Sequence, residues 1–125
     1  MTSEQIKKKL DLDGIANFSE NRARVLKNNK YGHVDLNGKV TTPIIYDGVG
    51  FFNEGRAWVI KGNKWGHVDL NGNVTTPIIY DDVFDFEVGR ACVRINKVEF
   101  HINKNGIPIE HKDFYKLIKE IFNAK

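Results

Sequence analysis

The chain has 125 residues, of which 41% are hydrophobic and 28% charged, and a formal net charge of +3. That is an ordinary globular composition, long enough for one core, and it excludes a disordered or fibrous chain. No run of eighteen apolar residues and no basic-then-apolar leader is present, so neither a membrane span nor secretion is expected and the protein should remain in the cytoplasm.

The single Cys92 permits no internal disulfide and builds no cysteine framework for a metal. The basic residues lie at Lys7, Lys8 and Lys9, between Arg22 and Lys30, and in the tail, while Asp81, Asp82, Asp85 and Glu87 form an acidic cluster. A uniform positive field for nucleic acid is therefore not expected.

At the start, Thr2-x-x-Gln5 has the form of a capping box, opening a short helix with Ile6 and Leu10 on one side. Residues 1–17 are read as this helix and a lead-in. From Phe18 onward the chain repeats at a spacing of 34 residues. The stretch from Lys30 to Asp47 returns from Lys64 to Asp81, and a degraded third copy keeps Phe86, Gly89, Arg90, Ala91, Val93, His101, Asn105 and Gly106. The expected units are 18–51, 52–85 and a degenerate 86–110. Such a period marks stacked units that bury their apolar faces against one another and jointly present a binding surface.

Within the second unit, Arg56 to Ile60 and Trp65 to Asp69 read as two strands joined by a Gly/Asn turn. Asn71-Gly72 then marks a second hairpin turn in which both central residues tolerate positive φ, followed by a short strand around Val74. Pro77 belongs at a sheet edge or bend, since it cannot donate to a ladder. Each repeat is thus a three-stranded antiparallel meander, and the fold class is an all-β core with helical ends. Period two in the first strand assigns Ala23, Val25, Ala57, Val59, Ala91 and Val93 to the core. The opposite face carries Arg24, Trp58 and Cys92, a position that changes freely. Phe114, Leu117, Ile118, Ile121 and Phe122 follow helical spacing, so 111–125 holds an amphipathic helix that caps the last repeat within a single domain.

The unit Lys64-Trp65-Gly66-x-Val68-Asp69-x-Asn71-Gly72, with Pro77, Tyr80-Asp81 and the downstream Phe-x-x-Gly-Arg-Ala, resembles the WG repeat, also called KWG, of bacterial proteins. The third copy departs from it, with Glu99-Phe100 at the Trp-Gly pair. The resemblance implies a β-rich scaffold. A chain of three such repeats with its own end helices is also similar to small immunity proteins of contact-dependent growth-inhibition systems, some of which use WG repeats to block a toxin nuclease of the EndoU type. The resemblance therefore implies an antitoxin whose partner is a toxin nuclease domain.

Other constellations are weaker. His33, His67 and His101 stand at one phased position, but no carboxylate or thiolate is phased with them, so hydrogen-bonded histidines are expected rather than a metal site. Asp35-Leu36-Asn37-Gly38 and its copy open like a calcium loop, yet Tyr46 and Tyr80 replace the closing glutamate. Gly48-Val49-Gly50 lacks the third glycine of a phosphate loop and reads as a turn. No nucleophile stands beside a base, so neither an enzyme nor a cofactor is expected.

The candidate partner-binding residues are Trp58 and Ile60 as apolar anchors, with Asp81, Asp82, Asp85 and Glu87 to meet a basic surface. Two further readings are a nucleic-acid-binding β-module, suggested by Lys30-Tyr31 and Lys64-Trp65, and a structural module of a longer array. In a strand, however, each lysine points away from the face of the aromatic beside it, which disfavours nucleic acid.

Overall fold

The structure, a computed structural model, describes residues 1–123, with side chains as far as Ile121. Helix α1 (Ser3–Leu10) is followed by eleven strands: β1 (Gly14–Ser19), β2 (Arg22–Lys27), β3 (Lys30–Val34), β4 (Val40–Tyr46), β5 (Gly48–Val49), β6 (Ala57–Lys61), β7 (Lys64–Val68), β8 (Val74–Tyr80), β9 (Asp82–Val83), β10 (Arg90–Ile95) and β11 (Val98–Asn103). Helix α2 (His111–Asn123) closes the described chain. The strands form three antiparallel sheets, ordered β1-β2-β3-β4, β5-β6-β7-β8 and β11-β10-β9.

The all-β meanders with helical ends are present, and each sheet gains an outer strand that the sequence did not reveal. Gly48 and Val49 pair with Ile60 and Val59, so the residues expected to turn form an extended ladder instead. Asp82 and Val83 pair with Arg94 and Val93 in the same way. The two-residue β5 and β9 offer no periodicity to read, whereas the six-residue β1 starts within the expected lead-in, its alternation broken by a register shift between Ile15 and Phe18. The strand expected around Val74 is likewise longer, running seven residues to Tyr80. Pro43 and Pro77 lie within β4 and β8, the edge strands of their sheets, where the missing N–H breaks no ladder.

The turns follow the copies. Gly62 and Asn63, at φ 61° and 68°, join β6 to β7, as Asn28-Asn29 and Asn96-Lys97 do in the other units. The Asn71-Gly72 turn departs from expectation because only Gly72 takes a positive φ. The loop is longer than two residues: the Gly72 N–H donates to Asp69 O at 3.0 Å, and the Asp69 side chain accepts from the N–H groups of Asn71 and Asn73. The carboxylate organises this turn, so Asn71 need not leave the ordinary backbone region.

All six residues assigned to the inner face of the first strands are buried. They belong to three apolar clusters, each sharing a residue with the preceding unit. Tyr46 ends β4 yet packs with Val49, Phe52, Ala57, Val59 and Val68, and Tyr80 packs with Phe86, Val93 and Phe100. Leu12 takes the corresponding place in the first cluster beside Ile6. No unit therefore completes a core alone.

Polar contacts repeat the same phase. The Glu20 carboxylate accepts from Glu54 N–H at 2.8 Å and Gly55 N–H at 2.7 Å, and Glu54 accepts from Val88 N–H at 2.5 Å and Gly89 N–H at 2.8 Å. Arg22 Nε donates to Leu70 O and Arg56 Nε to Lys104 O, both at 2.9 Å. Each repeat thus grips the next through one carboxylate and one guanidinium.

The ends are finished differently. In α1 the Thr2 N–H donates to Gln5 Oε1 at 2.8 Å and the Gln5 N–H to Thr2 Oγ1 at 3.1 Å, completing the capping box. Buried Ile6 packs on the Gly38 turn, the place where repeats 1 and 2 offer β4 and β8 to the Gly72 and Gly106 turns. At the other end α2 begins at His111, with Asp113 buried and Leu117 against the third cluster. Phe114 and Ile121 remain exposed, so the apolar stripe is only partly covered; the Phe122 side chain lies outside the described residues.

The Glu99-Phe100 departure has a packing reason. An added Cβ on Gly32 or Gly66 would overlap the carbonyl oxygens of Thr42 or Thr76 in the neighbouring edge strand. The third sheet has no such strand, only a bridge between Ile102 and Pro108, and the Phe100 side chain is buried in the space.

Candidate partner-binding surface

The outward face of the second sheet is built around Trp58. Its indole lies over β5 and the following Gly50, where an added Cβ would overlap the ring, and it packs tilted by 49° against Trp65, with ring centres 5.0 Å apart. Ile60 leans on Gly48 in the same way. Both are half-buried, so Trp58 and Ile60 present an edge to solvent rather than a free side chain.

In repeats 2 and 3 the outward sites are matched pairs. Gly50 N–H donates to Trp58 O at 2.9 Å, and Phe84 N–H to Cys92 O at 3.0 Å, so position 50 faces 58 as 84 faces 92. A large residue meets a small one each time, Trp58 with Gly50 and Phe84 with Cys92, while repeat 1 sets Arg24 at the place of Trp58 and Ala16 at that of Gly50. Arg24 extends over the Phe51 ring at 4.1 Å. From 30 to 47, by contrast, the first two copies differ only at Tyr31/Trp65 and Lys39/Asn73. Between the first two copies this frame is nearly unchanged, while the outward positions 16, 24, 50 and 58 differ.

The acidic candidates divide into two groups. Asp81 accepts from Lys64 Nζ and Asn96 N–H at 2.8 and 2.7 Å, and these two bonds hold its pKa below the ordinary carboxylate value. Asp47 does the same with Lys30 and Gly62 N–H, so the Asp81 contact belongs to the repeat itself. Asp82 reaches Arg94 at 3.4 Å. Asp85 and Glu87 are exposed and, among the described residues, lie in no ion pair. The Asp85 carboxyl is partly sheltered; that shelter, and then the Glu87 charge, raise its pKa.

Sequence reasoning passed over the apolar residues beside this pair, Phe51, Phe84 and Val88, exposed to 45%, 53% and 93%. Their signal was available: each differs in kind from its counterpart 34 residues earlier, Asn17, Gly50 and Glu54.

The phased histidines do not converge. His33 Nε2 lies 2.9 Å from Gly50 O and Nδ1 2.9 Å from Thr42 Oγ1, and His67 repeats both distances with Phe84 O and Thr76 Oγ1. A carbonyl can only accept, so Nε2 carries the proton and the bare Nδ1 accepts from the threonine hydroxyl. Burial lowers both pKa values to about 4. His101 is exposed, because α2 replaces the strand that would supply its threonine. Among the described residues no group of three or more His, Cys, Asp or Glu side chains could hold a metal ion. The Cys92 thiol is pushed up by burial and then by Glu99 and Asp82, so it is not primed as a nucleophile.

No helix among the described residues is long and apolar enough to cross a membrane. No curated protein and no solved structure matches the chain. The family model described as WG containing repeat matches three times in succession, over residues 3–31, 31–65 and 65–98. These matches cover the first two sheets and reach the third as far as the start of β11, and the chain belongs to the WG containing repeat family.

Proposed function

We propose that this chain is a cytoplasmic immunity protein that binds a toxin nuclease domain, of the EndoU type, and blocks its active site by occupying the approach to it. The observation that supports this reading is the contrast between a frame copied almost unchanged from the first repeat to the second and outward positions that differ in every repeat, Ala16/Gly50/Phe84 and Arg24/Trp58/Cys92. Stacked repeats of this kind are suited to recognition, with the frame holding the surface rigid. The resemblance of a three-repeat chain with end helices to small WG-repeat immunity proteins supplies the class of partner.

Recognition without catalysis is favoured because the Cys92 thiol is held protonated and both inner histidines are committed to hydrogen bonds. Nucleic acid is disfavoured as the ligand, since Lys30 and Lys64, the cations beside Tyr31 and Trp65, are paired with Asp47 and Asp81. The test is to look for a nuclease domain of the EndoU type encoded beside this chain's gene in the source genome and to co-express the two. Survival of the cells, together with loss of RNA cleavage when the purified proteins are mixed, is the expected result. Unchanged cleavage at a molar excess of this chain would refute the proposal.

A further inference from the structure

The third repeat ends the array with its guanidinium unused and its carboxylate replaced. Arg22 and Arg56 each donate to a carbonyl in the turn of the next repeat, whereas Arg90, at the same position, is exposed and has no such acceptor among the described residues. Where Glu20 and Glu54 reach forward to the next repeat, the third copy has Val88.

Nothing in the fold recommends valine there. It is 93% exposed and stands at φ 51°, a region that β-branched residues avoid. A strained, exposed apolar residue points to a role outside the folded chain. Beside it runs a shallow groove lined by Phe84, Asp85, Glu87, Arg90, Cys92 and His101. Its charge comes from two carboxylates that lie in no ion pair among the described residues, set against the single Arg90 guanidinium.

We propose that this end of the array docks a turn of a partner protein in the place a fourth repeat would occupy. A main-chain carbonyl of that turn takes the Arg90 guanidinium, as Leu70 O takes Arg22. An apolar side chain lies against Val88 and Phe84, and flanking lysine or arginine meets Asp85 and Glu87. The inference rests on the immunity reading for the partner's identity, but its chemistry is set by Val88, Arg90 and the two carboxylates, which α2 leaves exposed.

Two probes separate the two ideas. An EndoU-type nuclease domain that the chain protects against in co-expression is titrated against the wild-type chain and against Val88→Asn, Arg90→Ala and Asp85→Lys. A cyclic peptide carrying a Leu-Asn-Gly turn between lysines is titrated against isotope-labelled wild-type chain by NMR. The proposal expects at least a tenfold loss of nuclease affinity in each variant, and peptide-induced shifts at the amides of Val88, Arg90 and His101. Val88→Asn should also melt about 3 °C higher than wild type, because asparagine tolerates the positive φ. Nuclease binding unchanged in all three variants would overturn the docking site and leave the immunity reading standing. Peptide shifts at these amides without nuclease binding would keep the docking site and remove the immunity reading. Silence from both probes, or a lower melting temperature for Val88→Asn, would overturn the proposal.

Discussion

Trp58 occupies the volume that a side chain on Gly50 would need, and the two residues face each other across β5 and β6. Gly50→Ala should therefore push the indole off its shelf and cost about 1–3 kcal/mol. Adding Trp58→Arg recreates the Ala16 and Arg24 combination of repeat 1 and should recover much of that loss. Chemical denaturation of the two single variants and the double variant measures this coupling; strict additivity would show that the two positions do not share the space.

Acid should weaken the fold from about pH 6.5 downward, through its histidines. His33 and His67 have folded pKa values of about 4 against an unfolded 6.5, so the unfolded chain binds protons first as pH falls. Their contribution is whole above pH 6.5 and is lost between 6.5 and 4, by about 3 kcal/mol for each histidine. Melting temperatures at pH 7, 5.5 and 4 should fall steeply, and a His33→Gln/His67→Gln variant should be less stable at pH 7 but show a flatter profile. Parallel profiles for the two proteins would contradict this assignment.

Glu54 connects repeats 2 and 3 through two backbone N–H groups. Glu54→Ala should cost about 1–2 kcal/mol, with water partly replacing the lost acceptor. Hydrogen exchange at the amides of Val88 and Gly89 should quicken while that of Val59 does not. Glu20→Ala should do the same to Glu54 and Gly55.

Tyr80 is fully buried, and its hydroxyl has no partner among the described residues. Burial pushes its pKa up to about 12, so the group stays neutral throughout the usual range. Tyr80→Phe keeps the ring against Phe100, 6.1 Å away between centres, and removes the stranded oxygen. Stability should be unchanged or higher by about 1 kcal/mol. A loss above 1 kcal/mol would reveal a hydrogen bond that this packing does not contain.

The inner frame was legible because repetition amplifies weak signals. Ala-x-Val recurs with period two in three copies, and the capping box and turn asparagines each have a local cause. The short strands β5 and β9 were not legible, since two residues beside glycine or aspartate carry no alternation and their pairing is decided by the following repeat. The surface was harder still. Trp58 reads as an exposed anchor until Gly50 is seen beneath it, and Asp81 reads as part of an acidic patch until Lys64 and the Asn96 amide are seen to hold it. Each of these contacts joins residues eight or more positions apart, beyond any local pattern.

Because Glu20 meets 54 and 55 as Glu54 meets 88 and 89, and Arg22 reaches Leu70 as Arg56 reaches Lys104, the join between bricks is the same at both seams. A gene in which residues 48–81 were written twice would encode a taller tower with both end pieces intact. Length in this architecture is set by counting whole bricks, and a new one can be laid without recutting the old.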